Sequence, residues 1–95
     1  MPNAARLMDY CSGHGDFPPR PCISASTNVF INGRGAVRVS DVWDTHCNPA
    51  PSCHNGTTVS GSTRVFINGL PAARVGDSID CGSVIGTGSP NVFIG

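Results

Sequence analysis

One eight-residue block occurs twice in this chain almost unchanged. Ser26-Thr27-Asn28-Val29-Phe30-Ile31-Asn32-Gly33 returns as Ser62-Thr63-Arg64-Val65-Phe66-Ile67-Asn68-Gly69, and only the third position differs. Any fold for this chain must therefore use the same local structure at least twice. A shortened third copy follows as Ser89-Pro90-Asn91-Val92-Phe93-Ile94-Gly95.

A second shared block lies downstream of the first two copies, as Ala36-Val37-Arg38-Val39-Ser40-Asp41 and Ala72-Ala73-Arg74-Val75-Gly76-Asp77. An Asn-Gly pair follows each Val-Phe-Ile and supplies the positive φ angles of tight hairpin turns. The β-branched and aromatic residues suit paired strands, so each unit reads as a β-hairpin. The connection leaves room for a turn slightly longer than two residues. Within each strand Phe30, Phe66 and Phe93 point one way, and Val29, Ile31 and their counterparts point the other. Both sets are apolar, so one fills a narrow core while the other packs on neighbouring units or forms a docking patch.

The second block also stands at the start, as Ala4-Ala5-Arg6-Leu7-Met8-Asp9, with no Val-Phe-Ile strand before it. Its missing partner is the C-terminal copy. Pairing Val92-Phe93-Ile94 with Ala4 to Leu7 closes the chain into a ring of three hairpins and leaves no open sheet edge. The predicted fold is all-β, with three β-hairpin repeats related by pseudo-three-fold symmetry and the ring closed by the N- and C-terminal strands.

Composition agrees. Twelve Gly and eight Pro in 95 residues favour turns and short extended segments. All six cationic side chains are Arg and all six acidic ones Asp, so the net charge is zero and two strong helix formers, Lys and Glu, are missing. A nucleic-acid partner, which calls for a basic excess, is not expected. Nor is a signal peptide or membrane span, so the chain reads as made in the cytoplasm, a single domain over residues 1–95.

Five cysteines cannot all pair with one another, which leaves at least one thiol free, metal-bound or paired between chains. His14 follows Asp9 by five positions, His46 follows Asp41 by five, and Cys81 follows Asp77 by four. Three-fold closure brings these side chains towards a common axis, and the longest connection adds His54. Three imidazoles and one thiolate suit tetrahedral zinc, at about 2.0–2.1 Å to nitrogen and about 2.3 Å to sulfur. With four protein ligands the site is structural. Cys47 and Cys53 stand beside candidate histidines and are possible replacements for them. With Cys81 on the metal, Cys11, Cys22, Cys47 and Cys53 allow three pairings, or remain reduced. Arg6/Asp9, Arg38/Asp41 and Arg74/Asp77 read as structural pairs, and Trp43 and Tyr10 as core or flanking aromatics.

Pro71-Ala72-Ala73-Arg74, with Val75-Gly76-Asp77 and Cys81-Gly82-Ser83 after it, resembles the signature of the PAAR-repeat (Pro-Ala-Ala-Arg) family. Asn3-Ala4-Ala5-Arg6 and Gly35-Ala36-Val37-Arg38 resemble its degenerate copies, so the resemblance covers essentially the whole chain. It implies a compact cone on the trimeric β-helical spike of a type VI secretion system, the valine-glycine-repeat (VgrG-type) protein, or of a related contractile injection machine. It also implies a zinc held through His14, His46, His54 and Cys81, one monomeric cap per trimer, and effector proteins as possible cargo. Transient contact with a target membrane and translocation toward the target cell follow from the same likeness. No catalytic residue is expected, and the repeats leave no room for a fused effector. The alternatives are a small zinc hydrolase with one ligand position open to water and a disulfide-rich extracellular binding module with bridges among Cys11, Cys22, Cys47 and Cys53.

Overall fold

The Asn-Gly pairs set the first local structure. Asn32 and Gly33 have φ of 53° and 76°, and Asn68 and Gly69 have 55° and 78°, the paired left-handed conformation of a type I′ turn. In the computed structural model, which describes residues 1–95, these turns join β1 (Phe30–Ile31) to β2 (Arg34–Gly35) and β5 (Phe66–Ile67) to β6 (Leu70–Pro71). Ile31 faces Arg34, and Ile67 faces Leu70. Only two residues therefore form each loop, the tight turn that Asn-Gly favours, because Asn and Gly both accept positive φ; the room for a longer turn is not used.

The third hairpin is assembled from the two ends of the chain. Asn3 and Phe93 form an antiparallel bridge, Ala4 N–H donates to Val92 C=O at 2.9 Å, and Ile94 N–H donates to Pro2 C=O at 2.9 Å. The Ala4 bond is the counterpart of Ala36 N–H to Val29 C=O at 3.0 Å and Ala72 N–H to Val65 C=O at 2.9 Å. The structure is all-β without any helix, and its ring is closed as the repeats predict.

At the axis the second blocks hydrogen-bond to one another in a cycle. Ala5 N–H donates to Ala73 C=O, Ala73 N–H to Val37 C=O, and Val37 N–H to Ala5 C=O, at 3.0, 2.9 and 3.1 Å. A second cycle runs from Leu7 to Gly35, Val39 to Pro71 and Val75 to Asn3 at 2.8–2.9 Å. Ala5, Val37 and Ala73 are wholly buried. Three backbones converge here, and the axis takes the compact side chains Ala, Val and Ala.

Two apolar layers flank this triangle. Below it, Ile31, Ile67 and Ile94 pack with Ala4, Ala36 and Ala72. Their strand neighbours Phe30, Phe66 and Phe93 turn outward, at 61%, 56% and 47% exposure. Val29 and Val65 are also exposed, so these two valines do not share the isoleucines' burial, whereas Val92 is half-buried against the isoleucine layer. Above the triangle lie Cys11, Trp43 and Ile79, each two residues after a repeat Asp, together with Cys22 and Ile85. Trp43 Nε1–H donates to buried Thr58 Oγ1 at 2.8 Å, which satisfies the indole inside the core. Tyr10 lies on the exposed flank.

The middle unit carries the longest hairpin, β3 (Val42–Cys47) against β4 (Cys53–Thr57), with a register shift between Trp43 and His46. The molecule measures 39 by 24 by 21 Å.

Candidate metal centre

Each strand that rises from the axis starts at an Arg-x-x-Asp turn. The Arg6, Arg38 and Arg74 backbone N–H groups donate to Oδ2 of Asp9, Asp41 and Asp77 at 2.7, 2.7 and 2.8 Å, and the guanidinium of each Arg grips the same carboxylate. A hydroxyl from a neighbouring segment completes each clamp: Thr87 on Asp9, Ser24 on Asp41 and Ser60 on Asp77. The pairs are therefore structural, as their sequence position indicates. Burial raises the Asp9 carboxyl pKa, but hydrogen bonds from the Arg6 side chain and backbone and from Thr87, with the Arg6 charge, outweigh it and hold the pKa below the usual value. The guanidinium pKa values of Arg6, Arg38 and Arg74 are raised, chiefly by hydrogen bonds to these carboxylates.

From these turns the chain delivers four side chains to one place. The ligand atoms of His14, His46, His54 and Cys81 all lie within 4.8 Å of one another. His14 sits on a tight turn closed by reciprocal backbone hydrogen bonds with Phe17 at 3.0 and 2.8 Å, with Gly15 at a φ of 52°. His46 and His54 are cross-strand partners on β3 and β4. Cys81 stands against Gly56 of β4, where a Cβ would lie 2.5 Å from Ile79 Cγ2 and 3.0 Å from Cys81 Sγ. Only glycine at position 56 lets the thiol approach so closely.

The geometry of the imidazoles fits a metal cation better than protons. His54 Nε2 lies 2.7 Å from His46 Nε2 and 3.0 Å from His14 Nε2. His46 Nδ1 lies 2.8 Å from Pro18 C=O, which can only accept, so the nitrogen is protonated and neutral His46 carries its lone pair on Nε2. A single proton on His54 Nε2 cannot form two straight hydrogen bonds, so protons alone leave a short contact between nitrogens unsatisfied. Three nitrogens and one sulfur form a donor set typical of zinc, and Pro18 supplies the outer hydrogen bond that orients such a ligand. Desolvation, followed by the nearby His46 and His14, lowers the His54 pKa against a smaller opposing effect of Asp80. The neutral imidazole that a metal requires is thus favoured.

Phe17, which sequence reasoning missed, packs its ring on all three imidazoles, with centroid separations of 4.8 Å to His14, 5.0 Å to His46 and 4.3 Å to His54. Its place three residues after His14 was the available signal, because a two-residue turn makes those positions neighbours.

Cys47 and Cys53 do not replace a histidine. They form a disulfide, and their exposed positions alternate with the inward-facing His46 and His54. Cys11 and Cys22 are unbridged and buried, so the open question of pairing resolves to one bridge among the five cysteines. Desolvation pushes the Cys22 thiol pKa up to about 12. That thiol donates to Ser24 C=O at 3.2 Å, as a structural core group.

Comparison with known proteins agrees with this geometry. A family model described as PAAR motif matches residues 12–87, a span containing all four donors and the complete middle repeat. No curated protein matches the chain.

Proposed function

The chain belongs to the PAAR-motif family, and from that premise we propose that it is the structural tip of a contractile injection spike of the type VI secretion kind, seated on a trimeric VgrG-type β-helix. The observation that carries this reading is the outward projection of Phe30, Phe66 and Phe93 from equivalent positions around the axis. A three-fold partner can meet three like aromatic contacts at once. Exposed apolar residues at repeated positions suit docking, and the open strand ends of a trimeric β-helix need a cover.

His14, His46, His54 and Cys81 hold a structural zinc. When bound, the ion cross-links three loops that few backbone hydrogen bonds join, and its binding energy is then folding energy. The protein's own groups prepare the site. Pro18 C=O fixes the His46 tautomer, Gly56 admits Cys81, and Phe17 keeps water from the imidazoles. Four converging donors favour a closed structural site over a hydrolase, which keeps a position open for water. The disulfide-rich module is disfavoured by the burial of unpaired Cys11 and Cys22.

Function then follows from shape and stiffness rather than turnover. The chain is made in the cytoplasm, joins the spike as a monomer, and is driven with it through a target membrane, accompanied by an effector where one is carried. Co-purification with candidate trimeric spikes tests the proposal: one cap per trimer is expected, and no association with any such trimer overturns it.

A further inference from the structure

The disulfide lies one residue from two of the four donors. On β3 and β4 His46 faces His54, and the next pair outward is Cys47 with Cys53. Alternation along the strands turns both histidines towards the candidate centre and leaves both cysteines exposed. Closing the disulfide therefore ties the two strands at the register that brings the His46 and His54 Nε2 atoms to 2.7 Å.

The two histidines are unequally supported. His46 is buried and tied to Pro18 C=O. Its strand is also tied to the preceding segment, where Asp44 N–H donates to Pro21 C=O at 2.9 Å and Arg20 Nε–H donates to Thr45 C=O at 3.3 Å. The polar contacts of the His54 ring are the other two imidazoles, through Nε2. At its far end β4 is held at Thr57, whose N–H donates to Asp80 Oδ1 at 2.9 Å and whose C=O accepts from Asp80 N–H at 3.0 Å. At the near end Asn48 N–H donates to Ser52 C=O at 2.9 Å and Ser52 N–H to Asn48 Oδ1 at 2.7 Å, and the disulfide adds the covalent tie.

We propose that Cys47–Cys53 is a redox-reversible site, opened and closed by exchange with small thiols and disulfides, whose closure positions His54 and tightens metal binding. The proposal rests on the four-donor metal reading. In the opening step a small-molecule thiolate attacks one protein sulfur and forms a mixed disulfide, releasing the other as a thiolate that takes a proton. A second small thiol resolves the mixed disulfide. Net, one protein disulfide and two small thiols become two protein thiols and one small disulfide. Closing is the reverse, with the small disulfide as the two-electron oxidant. Cys11 and Cys22 are buried and stay out of the exchange, and half-exposed Cys81 is kept from it by its role as a metal donor in the same reading.

Coupling between two sites is reciprocal. If closure tightens zinc binding by some factor, bound zinc must favour the closed disulfide over the dithiol by the same factor. The test measures zinc affinity by competition with a chromophoric chelator for oxidised protein, for protein reduced with a phosphine, and for Cys47→Ser/Cys53→Ser. A parallel measurement follows the disulfide–dithiol equilibrium in glutathione buffers with and without zinc. Oxidised protein should bind about tenfold tighter than the reduced and double-serine forms, which should match each other, and zinc should shift the glutathione equilibrium by the same factor. Equal affinity in all three forms overturns the proposal while the metal reading stands. Tighter binding by reduced protein than by the double-serine variant also overturns it, because the freed thiols would then be ligands. Failure of the oxidised protein to bind zinc overturns the metal reading itself, and the proposal with it.

Discussion

Asn3 and Phe93 face each other across an antiparallel bridge, and this pairing turns a linear array of repeats into a closed ring. The third hairpin has no turn of its own and depends on contacts between segments far apart in sequence. Its chemistry is adapted to that. Ser26 and Ser89 donate their hydroxyls to Asn68 and Asn32 at 2.7 and 2.6 Å, whereas Ser62 donates to the backbone carbonyl of Gly95, which stands where the other copies have Asn. Such long-range closure costs chain entropy before it yields contacts, so folding should be slow for a chain of this size.

Neighbouring residues of the closing strand should behave oppositely on substitution. Ile94 is buried with Ile31 and Ile67, and Ile94→Ala should cost about 2–4 kcal/mol in denaturant unfolding. Phe93 is exposed, and Phe93→Ala should change stability by less than about 0.5 kcal/mol while weakening association with the spike.

The three Arg-x-x-Asp turns place Met8, Ser40 and Gly76 at equivalent positions with φ of 71°, 86° and 91°. Glycine adopts this conformation freely, while a left-handed non-glycine residue carries about 1–3 kcal/mol of strain. Met8→Gly and Ser40→Gly should each raise stability, by about 1 kcal/mol after the added entropy of the unfolded chain. Gly76→Ala should lower it. Thermal melts of the three variants check the ordering.

Acid should act in two stages. The folded protein holds His54 at a pKa below its ordinary value, so as pH falls through about 6.5 the unfolded chain takes up the proton first and stability declines. Zinc release adds to this decline, since ligand imidazoles must be neutral. The depressed Asp9 pKa means that its contribution is present above about pH 4 and is lost as pH falls through the lower folded value. Unfolding free energies from pH 7 to pH 3, with and without zinc, should show both steps; a profile flat between pH 7 and 5 contradicts the first.

Asp9 accepts hydrogen bonds from Arg6, Arg34 and Thr87 and is buried. Asp9→Ala should therefore cost about 2–3 kcal/mol, because it leaves the largely buried Arg6 guanidinium and backbone N–H without their acceptor, while Arg34 is exposed enough for water to replace the carboxylate. Denaturant unfolding of this variant beside Asp16→Ala, at an exposed position, measures the difference.

The fold was legible because its units repeat. Val-Phe-Ile-Asn-Gly appears twice in full, and Ala-Ala-Arg at the start had no other strand to pair with. Three candidate donors, His14, His46 and Cys81, were legible because their distance from the repeat aspartates is nearly constant, whereas His54 came from the extra length of the middle connection. What was hidden sits where the three units differ chemically. Cys11, Trp43 and Ile79 fill one equivalent layer with three unlike side chains, so repetition could not identify it. Phe17 depends on a tight turn outside the repeat, and the choice of Cys47 and Cys53 as the bridged pair depends on the register of the longest hairpin.

The most direct test of the account is X-ray absorption spectroscopy at the zinc edge on protein carrying its own metal, beside Cys81→Ser and Cys11→Ser. One zinc per chain, bound by three nitrogens and one sulfur, is predicted, with metal retention lost in Cys81→Ser and kept in Cys11→Ser. A metal-free protein of unchanged melting temperature, or a zinc bearing an oxygen ligand in place of a protein donor, would contradict it.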